Sequence, residues 1–239
     1  MGTIFNVITI IVGGVLGTFF GDKLPERMRV TVVAGLGLFT TAYGVSLFIK
    51  SENTLLVVIS VLIGALLGEW WQIEEGLRKL GIWLERILAG KTPRSAEGQA
   101  RFIRGFLTAS LVFVIGPMAI LGSIQDGLTG DYSTLGVKAI LDGFAALAFA
   151  SSLGVGVIFS FLVILVYQGG ITLLAAQLQT FFTASMMNEM SAVGGVLLLG
   201  IGIGSLLEIK PIRTGNFLPA LAIAPILVWL LNMLGIAMP

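Results

Sequence analysis

Eight mainly apolar stretches of roughly 20 residues follow one another along the chain, the length that an α-helix needs to cross a bilayer. They lie near 3–21, 30–49, 54–71, 105–122, 135–151, 153–175, 191–207 and 215–237. Because hydrocarbon offers backbone groups no water to bond with, each stretch must be helical. The 239 residues are 56% hydrophobic and only 11% charged. We therefore predict an all-α polytopic integral membrane protein with about eight transmembrane helices, forming a single transmembrane domain over 1–239.

The fifth stretch is the least regular, because it carries Lys138 and Asp142 and runs almost directly into the sixth. It is either a full span or part of a re-entrant hairpin. At the start of the chain, residues 1–6 lack the basic segment of a secretory signal, so we interpret the first stretch as a retained span.

Basic residues predict the orientation, because Lys and Arg close to span ends stay in the cytoplasm. All but two of the 14 basic residues fall in alternate loops, the first, third and seventh; the exceptions are Lys50 and Lys138. With eight spans, both termini are predicted to lie outside.

The third loop contains a predicted amphipathic helix between Trp70 and Leu88. Apolar residues recur at steps of three and four, and Trp70, Trp71 and Trp83 suit the headgroup region of a membrane. We expect residues 72–101 to form a cytoplasmic interfacial helix and linker, with the clearest linker sequence at 90–95. Binding of a partner protein is the alternative role for this helix.

Glycine is abundant, at 32 residues, and its placement is ordered. Small-xxx-small pairs recur at Gly13 and Gly17, Gly64 and Gly68, and Gly200 and Gly204. Since spans three and seven are four apart and point the same way, these pairs suggest two parallel four-helix repeats. The alternative is generic close packing of helices, either within one chain or in a homo-oligomer.

Composition excludes several classes of function. Without Cys or His the chain forms no disulfide, no thiol nucleophile and no Ser-His arrangement, so we expect neither an enzyme nor a cofactor, and we assign no metal ligands. A net charge of +1 gives no electrostatic basis for binding nucleic acid. The expected partners are the lipid bilayer and a small ion or solute.

Polar residues inside hydrocarbon are costly and mark candidate sites. Gly116-Pro117 predicts a bend in span four, and Gln125, Asp126 and Asp131 follow at its outer end. These three residues either line a solute pathway or belong to a Gly-rich turn with solvated acids.

Asp142 lies about seven residues into span five, roughly 10 Å deep at ~1.5 Å per residue. Lys138 precedes it by one turn, and Gln168 lies at a similar depth in span six, so that Asp142 and Gln168 are placed to meet. Gly169-Gly170 should loosen span six. We predict an outward-open polar cavity in the outer half of spans four to seven; a purely structural Lys–Asp ion pair is the alternative.

Three other polar positions have simpler interpretations. Glu189, just before span seven, either caps that helix or faces the same cavity. The amides of Asn6 and Asn216 favour interhelical hydrogen bonds.

Several segments together resemble one known family. They are 122–131, 141–143, 153–157, 167–169 and 189–195, with 2–6 and 216–219. The chain is similar along nearly its whole length to the YdfK/YqgA family, domain of unknown function 554. That resemblance implies a prokaryotic inner-membrane protein of a family often labelled as transporters, and it carries no substrate or mechanism with it.

The leading hypothesis is a transporter or channel for a small solute or ion. A hard cation is the favoured substrate, because carboxylates, amides and carbonyls are its preferred ligands. The candidate binding residues are Gln125, Asp126, Asp131, Lys138, Asp142, Gln168 and Glu189. The alternative is a non-transporting scaffold or accessory subunit that recruits lipid or a cytoplasmic partner.

Overall fold

The computed structural model describes residues 1–21, 23–90, 95–178 and 182–234, and all regular structure within these ranges is helical. The α-helices are α1 (Gly2–Gly21), α2 (Glu26–Phe48), α3 (Thr54–Trp71), α4 (Ile73–Ala89), α5 (Ala96–Val114), α6 (Pro117–Thr129), α7 (Ser133–Leu153), α8 (Ser160–Leu173), α9 (Ala175–Leu178), α10 (Ala184–Ile201) and α11 (Ala220–Met233). Short 3₁₀ helices occupy Val155–Val157 and Thr214–Phe217, and a π-helical turn occupies Gly202–Leu206. The predicted all-α class is confirmed.

Seven of the described helical stretches are long and apolar enough to cross a membrane, and α5 with α6 forms an eighth if that bent pair counts as one span. The seven are Gly2–Gly21, Glu26–Phe48, Thr54–Trp71, Ser133–Leu153, Val155–Leu173, Ala184–Leu206 and Thr214–Met233. They correspond in order to the predicted spans one to three and five to eight.

The fourth span is the broken one. α5 and α6 are bent by 64° at the junction between them. Gly116 there has φ +135°, a backbone conformation that favours glycine. Pro117 is the first residue of α6, a position where the backbone N–H has no partner within the helix, so proline loses no hydrogen bond there. The predicted bend at Gly116-Pro117 is confirmed.

Contacts divide the chain into two compact units. The first unit comprises residues 1–36, 77–114 and 118–179, and the second comprises 37–76, 115–117 and 180–239. Each unit therefore combines segments from both halves of the sequence. The units do not coincide with two consecutive four-span halves.

In the first unit, α1 and α7 run parallel with their backbones in close contact. A Cβ atom added at Gly13 would lie 2.1 Å from the carbonyl oxygen of Gly143, and one at Gly17 would lie 2.2 Å from that of Leu147. Residue numbers rise together along both helices, so the two helices point the same way. Glycine is required at both positions of α1, since any side chain would enter the backbone of α7.

The bent pair α5–α6 extends from one end of α1 to the other. At one end, the Arg101 guanidinium in α5 donates to the carbonyl of Ser152, close to the end of α7. At the other end, Asp126 in α6 binds the amino group of Met1, where α1 begins. The pair therefore connects opposite ends of the first unit, the path that a single bent span would take between α4 and an α7 parallel to α1.

The amphipathic helix begins later than predicted. Gln72 has φ +52° and separates α3 from α4, so that Trp70 and Trp71 belong to the end of α3. Residues 91–94 of the predicted linker lie outside the described residues. Residues 96–101, also expected to be linker, are helical and form the start of α5.

The apolar face of α4 is only partly available to lipid. Leu84 is buried in a cluster with Phe102 and Phe106 of α5, whereas Trp83 and Ile87 are exposed. One stripe of α4 is thus packed against α5. The interfacial role of the exposed stripe with Trp83 stays a prediction.

The second unit contains an antiparallel contact between α3 and the last span. A Cβ atom at Gly64 would lie 2.5 Å from the Ala220 nitrogen, and one at Gly68 would lie 1.8 Å from the Asn216 carbonyl oxygen. Residue numbers rise along α3 as they fall along the last span, so the two segments run in opposite directions. Close approach of the two backbones again depends on glycine.

Of the two alternatives for the fifth span, the structure shows the full, unbroken helix, α7. Two other expectations about individual spans are wrong. Gly169 and Gly170, expected to loosen the sixth span, lie within regular helix, because a helix in lipid must keep its backbone bonds; the positive φ, +83°, belongs to Gly154, which lies between α7 and the start of that span at Val155. The helix of the seventh span starts at Ala184, which places Glu189 inside it.

Candidate functional site

Two charged side chains are buried on one face of α7 in the first unit. Lys138 and Asp142 are 6% and 8% exposed, and the Lys138 Nζ donates to Asp142 Oδ2. A separation of four residues puts both side chains on the same helix face. Asp142 is the tenth residue of α7, about 14 Å from the helix start at ~1.5 Å per residue, and therefore closer to mid-membrane than the sequence predicted.

Asn6 of α1 joins this pair to α8. Its Nδ2 donates to Asp142 Oδ2 at 2.9 Å and to Gln168 Oε1 at 3.2 Å. Asn6 and Gln168 are both fully buried. The predicted meeting of Asp142 and Gln168 therefore occurs through a bridging amide. The resulting four-residue set, Asn6, Lys138, Asp142 and Gln168, is referred to below as the buried polar cluster.

Two atoms of the cluster have no hydrogen-bond partner among the described residues, Asn6 Oδ1 and Gln168 Nε2. The orientation of each amide follows from its neighbours. Asp142 accepts hydrogen bonds, so the Asn6 nitrogen must face it, and the Gln168 oxygen must then face that same nitrogen. One acceptor and one donor are therefore left over in a buried region, where an unpaired polar atom costs about 1–3 kcal/mol.

The charge of the cluster limits what it can hold. One carboxylate and one ammonium sum to zero, and the oxygen atoms of Asp142 and Asn6 are hard ligands. Within the described residues, no three acidic side chains lie together as a metal-binding group. A single carboxylate with amide oxygens suits a monovalent cation, provided that Lys138 gives way.

Gln125, near the end of α6, and Asp131, in the turn between α6 and α7, form a separate, exposed contact. Gln125 Nε2 donates to Asp131 Oδ2 at 2.7 Å, and Asp131 Oδ1 accepts from the Ser133 N–H at 2.9 Å. The hydrogen bond from the Ser133 backbone lowers the pKa of Asp131 below its ordinary value. These contacts correspond to the turn with solvated acids, so the structure does not bring these two residues into the buried polar cluster.

Asp126 is occupied by the start of α1. Its carboxylate accepts from the Met1 amino group at 2.9 and 3.0 Å and from the Gly2 N–H at 3.0 Å. A negative charge at a helix N-terminus is stabilising, because the first N–H groups have no partners within the helix. Asp126 thus anchors α1 to α6 and does not join the cluster.

Glu189 belongs to the second unit and is fully buried there. Its Oε1 accepts from the Glu52 and Asn53 N–H groups at 2.7 and 2.8 Å, and its Oε2 accepts from Ser51 Oγ at 2.9 Å. Asn53 is the N-cap of α3. Glu189 therefore caps the start of another helix, α3, and both of its oxygens are occupied.

A second polar group, in the second unit, was not predicted as a site. Asn216 Nδ2 donates to Glu69 Oε2 at 2.7 Å, and Asn216 Oδ1 accepts from the Glu74 N–H at 2.8 Å. Arg213 forms an ion pair with Glu69 at 2.7 Å. These contacts tie the junction of α3 and α4 to the segment before α11.

Glu74 is the member of that group whose carboxyl is desolvated by burial. Its Oε2 accepts from the Gly215 N–H at 2.8 Å, yet burial raises the pKa of its carboxyl above the ordinary value of 4.5. Desolvation outweighs the hydrogen bond and the attraction of Arg213. The junction thus holds a carboxyl whose charged form is disfavoured by the fold.

Asn6 is the site residue that sequence reasoning undervalued. An isolated amide in an apolar span predicts a helix–helix hydrogen bond, and Asn6 makes two. Its place beside Asp142 depends on the pairing of α1 with α7, helices that lie more than 110 residues apart in the chain. Gly13 and Gly17 did indicate that another helix packs closely against α1, although they do not show which helix it is.

The fold and the site together define a class, the polytopic α-helical membrane proteins. Seven helical stretches long and apolar enough to cross a membrane, found among the described residues, and charged groups buried between helices are the features of that class.

Within that class, the chain belongs to the family described as protein of unknown function (DUF554), whose model matches residues 1–229. It is 34% identical over 224 residues to the uncharacterized protein YqgA of Escherichia coli (strain K12), covering 94% of each chain. It is 31% identical over 239 residues to the uncharacterized membrane protein YdfK of Bacillus subtilis (strain 168), covering 98% of each. No solved structure matches. The family resemblance read from the sequence is confirmed.

Proposed function

We propose that the chain is a membrane transporter for a small ion, with the buried polar cluster as its binding site. The observation that carries this proposal is the junction of three spans at one carboxylate, where Asn6 links Asp142 to Gln168. α1, α7 and α8 each contribute one of these three residues. A ligand bound there contacts three spans at once, so its binding can be coupled to their movement.

The cost of the cluster supports a role in function. An Asp or Lys at a span centre costs roughly 2.5–3.5 kcal/mol on insertion scales. Replacing a buried ion pair by well-packed apolar side chains is often neutral or stabilising, so such a pair is weak support for a structural role. Two amides with unpaired atoms add to that cost.

A hard cation is the substrate class that the ligand atoms favour. Carboxylate and amide oxygens bind Na⁺, K⁺ or Mg²⁺ in preference to soft metals. The Gln125–Asp131 turn and the anchor residues Asp126 and Glu189 are left out of the proposed site, because their oxygens are occupied by local hydrogen bonds.

We place the protein in a prokaryotic inner membrane with both termini outside. The three loops that carry most Lys and Arg then face the cytoplasm. With this orientation the start of α7 faces outward, and the cluster lies on the outer side of mid-membrane.

The test is flux of a panel of monovalent and divalent cations into liposomes that contain the purified protein. Wild type is compared with Asp142→Asn and with Asp131→Asn, the same change at an exposed carboxylate. Because Asp142→Asn leaves the Lys138 ammonium buried and unpaired, the double variant Asp142→Asn/Lys138→Gln provides a second, uncharged site.

We expect selective flux in wild type and in Asp131→Asn, and background flux in both Asp142 variants. Flux that survives in folded Asp142→Asn removes the site. No cation flux in wild type contradicts the ion proposal and directs the search to uncharged or anionic solutes, then to a scaffold that acts through α4.

A further inference from the structure

A cation-binding site at Asp142 does not by itself explain why a lysine, Lys138, is buried beside that carboxylate. A cation needs the Asp142 carboxylate, yet Lys138 Nζ already bonds to Asp142 Oδ2. The ammonium therefore occupies the position of the proposed substrate and carries the same single positive charge. In this structure the lysine acts as a cation tethered to the site.

We propose that Lys138 is this carrier's internal substitute for its substrate, a monovalent cation, which neutralises Asp142 whenever the site is empty. This inference rests on the proposed transport function. It adds a prediction about which steps of the cycle the empty protein can complete.

The lysine has a route away from the carboxylate. The Cα–Cβ bond of a helical residue tilts toward the helix N-terminus, so the Lys138 side chain can also extend away from Asp142 toward the start of α7. Lys138 is the sixth residue of α7, roughly 8 Å from its start at ~1.5 Å per residue. A lysine stem can cover much of that distance and place its ammonium in water. The turn that α7 follows carries the exposed Asp131 carboxylate.

Charge counting then selects the substrate. With Lys138 on Asp142 the buried site is neutral, and with a monovalent cation on Asp142 and the ammonium in water it is neutral again. A divalent ion would leave one excess positive charge in hydrocarbon, which is disfavoured. Without Lys138, the empty site would hold an unpaired carboxylate.

The unpaired oxygen of Asn6 fits the same scheme. Asn6 is fully buried, its nitrogen already bonds to Asp142, and its Oδ1 has no partner among the described residues. That oxygen lies on the same amide as the nitrogen bound to Asp142. It is available to an ion that replaces the ammonium at the carboxylate.

The consequence concerns the return of the empty carrier. Moving a neutral site across the membrane is feasible, whereas moving an uncompensated carboxylate is not. Wild type should therefore perform both net uptake, which requires the empty carrier to return, and exchange, in which the carrier is loaded in both directions. Lys138→Gln should keep exchange and lose net uptake.

The experiment compares the two modes in proteoliposomes with labelled Na⁺ or Rb⁺. Net uptake is measured into vesicles that contain only a large impermeant cation, with a proton ionophore to dissipate the membrane potential. Exchange is measured into vesicles preloaded with the unlabelled ion. The matched control is Lys50→Gln, at an exposed lysine of the loop between α2 and α3, and Lys138→Arg retains the charge.

We expect the ratio of net uptake to exchange to fall at least tenfold in Lys138→Gln and to stay at the wild-type value in Lys50→Gln. Lys138→Arg should retain measurable net uptake. An unchanged ratio in Lys138→Gln, or equal loss of both modes, would overturn the inference while leaving wild-type transport intact. Absence of both modes in wild type overturns the proposed function itself.

Thermal stability provides a second readout if Lys138→Gln is poorly folded without ions. A monovalent cation that replaces the missing ammonium binds only the folded protein and raises its melting temperature. The rise on changing from a choline salt to a Na⁺ or K⁺ salt should be larger in Lys138→Gln than in wild type. Equal rises in the two proteins would contradict the inference.

Discussion

The contact between α1 and α7 predicts a severe effect of the smallest possible substitution, Gly13→Ala. The added Cβ would lie 2.1 Å from the Gly143 carbonyl oxygen and 2.9 Å from its carbon. Ordinary contact distances begin near ~3.5 Å, so the two backbones must separate by about 1 Å at this level. Backbone atoms cannot rotate away as a flexible side chain can.

Overpacking of this kind costs about 1–3 kcal/mol. For a chain of this size, each 1 kcal/mol corresponds to roughly 2–4 °C in melting temperature. We therefore expect Gly13→Ala to melt roughly 2–12 °C below wild type. Because Asn6 lies two turns earlier on the same helix, separation of α1 from α7 should also weaken its bond to Asp142 and reduce ion flux.

The assay is thermal unfolding of the detergent-purified protein, followed by tryptophan fluorescence. Gly136→Ala is the matched control in α7, because a Cβ there meets nothing within 4 Å. Alanine should stabilise that helix position, where the added Cβ has open space, by up to about 1 kcal/mol. Equal melting temperatures for the two variants would refute the close parallel packing of α1 and α7.

Three further predictions follow from single contacts. Glu189→Gln replaces one accepting oxygen by an amide nitrogen, so at least one buried donor loses its partner, at a cost of about 1–3 kcal/mol that a lowered melting temperature should reveal. Asn6→Leu removes both hydrogen bonds of the bridging amide and should reduce cation flux at low ion concentration more than at saturation, which initial-rate measurements across concentrations would show. Because the pKa of Glu74 is raised in the folded state, the stability that this carboxyl contributes is fully present below about pH 4.5 and is lost as pH rises through the folded-state pKa. The melting temperature of wild type minus that of Glu74→Gln should therefore fall from pH 4 to pH 7. A difference that does not change with pH would contradict the burial of that carboxyl.

The number of spans and the bend at Gly116-Pro117 were predictable because each depends on local chemistry. A bilayer fixes the length of an apolar helix, and proline removes a backbone donor wherever it stands. The depth estimate for Asp142 and Gln168 also relied on local spacing, and it placed the two residues close enough for Asn6 to bridge them.

Other features depend on which helices pair, and one sequence does not contain that information. Glu189 was expected to act on its own helix, but it caps α3 from far along the chain. Asp126 resembled a pathway acid, but it binds the start of α1. Gly169 and Gly170 were expected to loosen span six, whereas both lie within regular helix and the positive φ belongs to Gly154, just before that span.

Equilibrium binding of labelled Na⁺ and Rb⁺ to the purified protein tests most directly the claim that the buried polar cluster holds a monovalent cation. Wild type should bind one of these ions saturably, Asp142→Asn should lose that binding, and Lys138→Gln should bind more tightly because no internal ammonium competes. Saturable binding that persists unchanged in Asp142→Asn, or its absence from folded wild type, would contradict the claim.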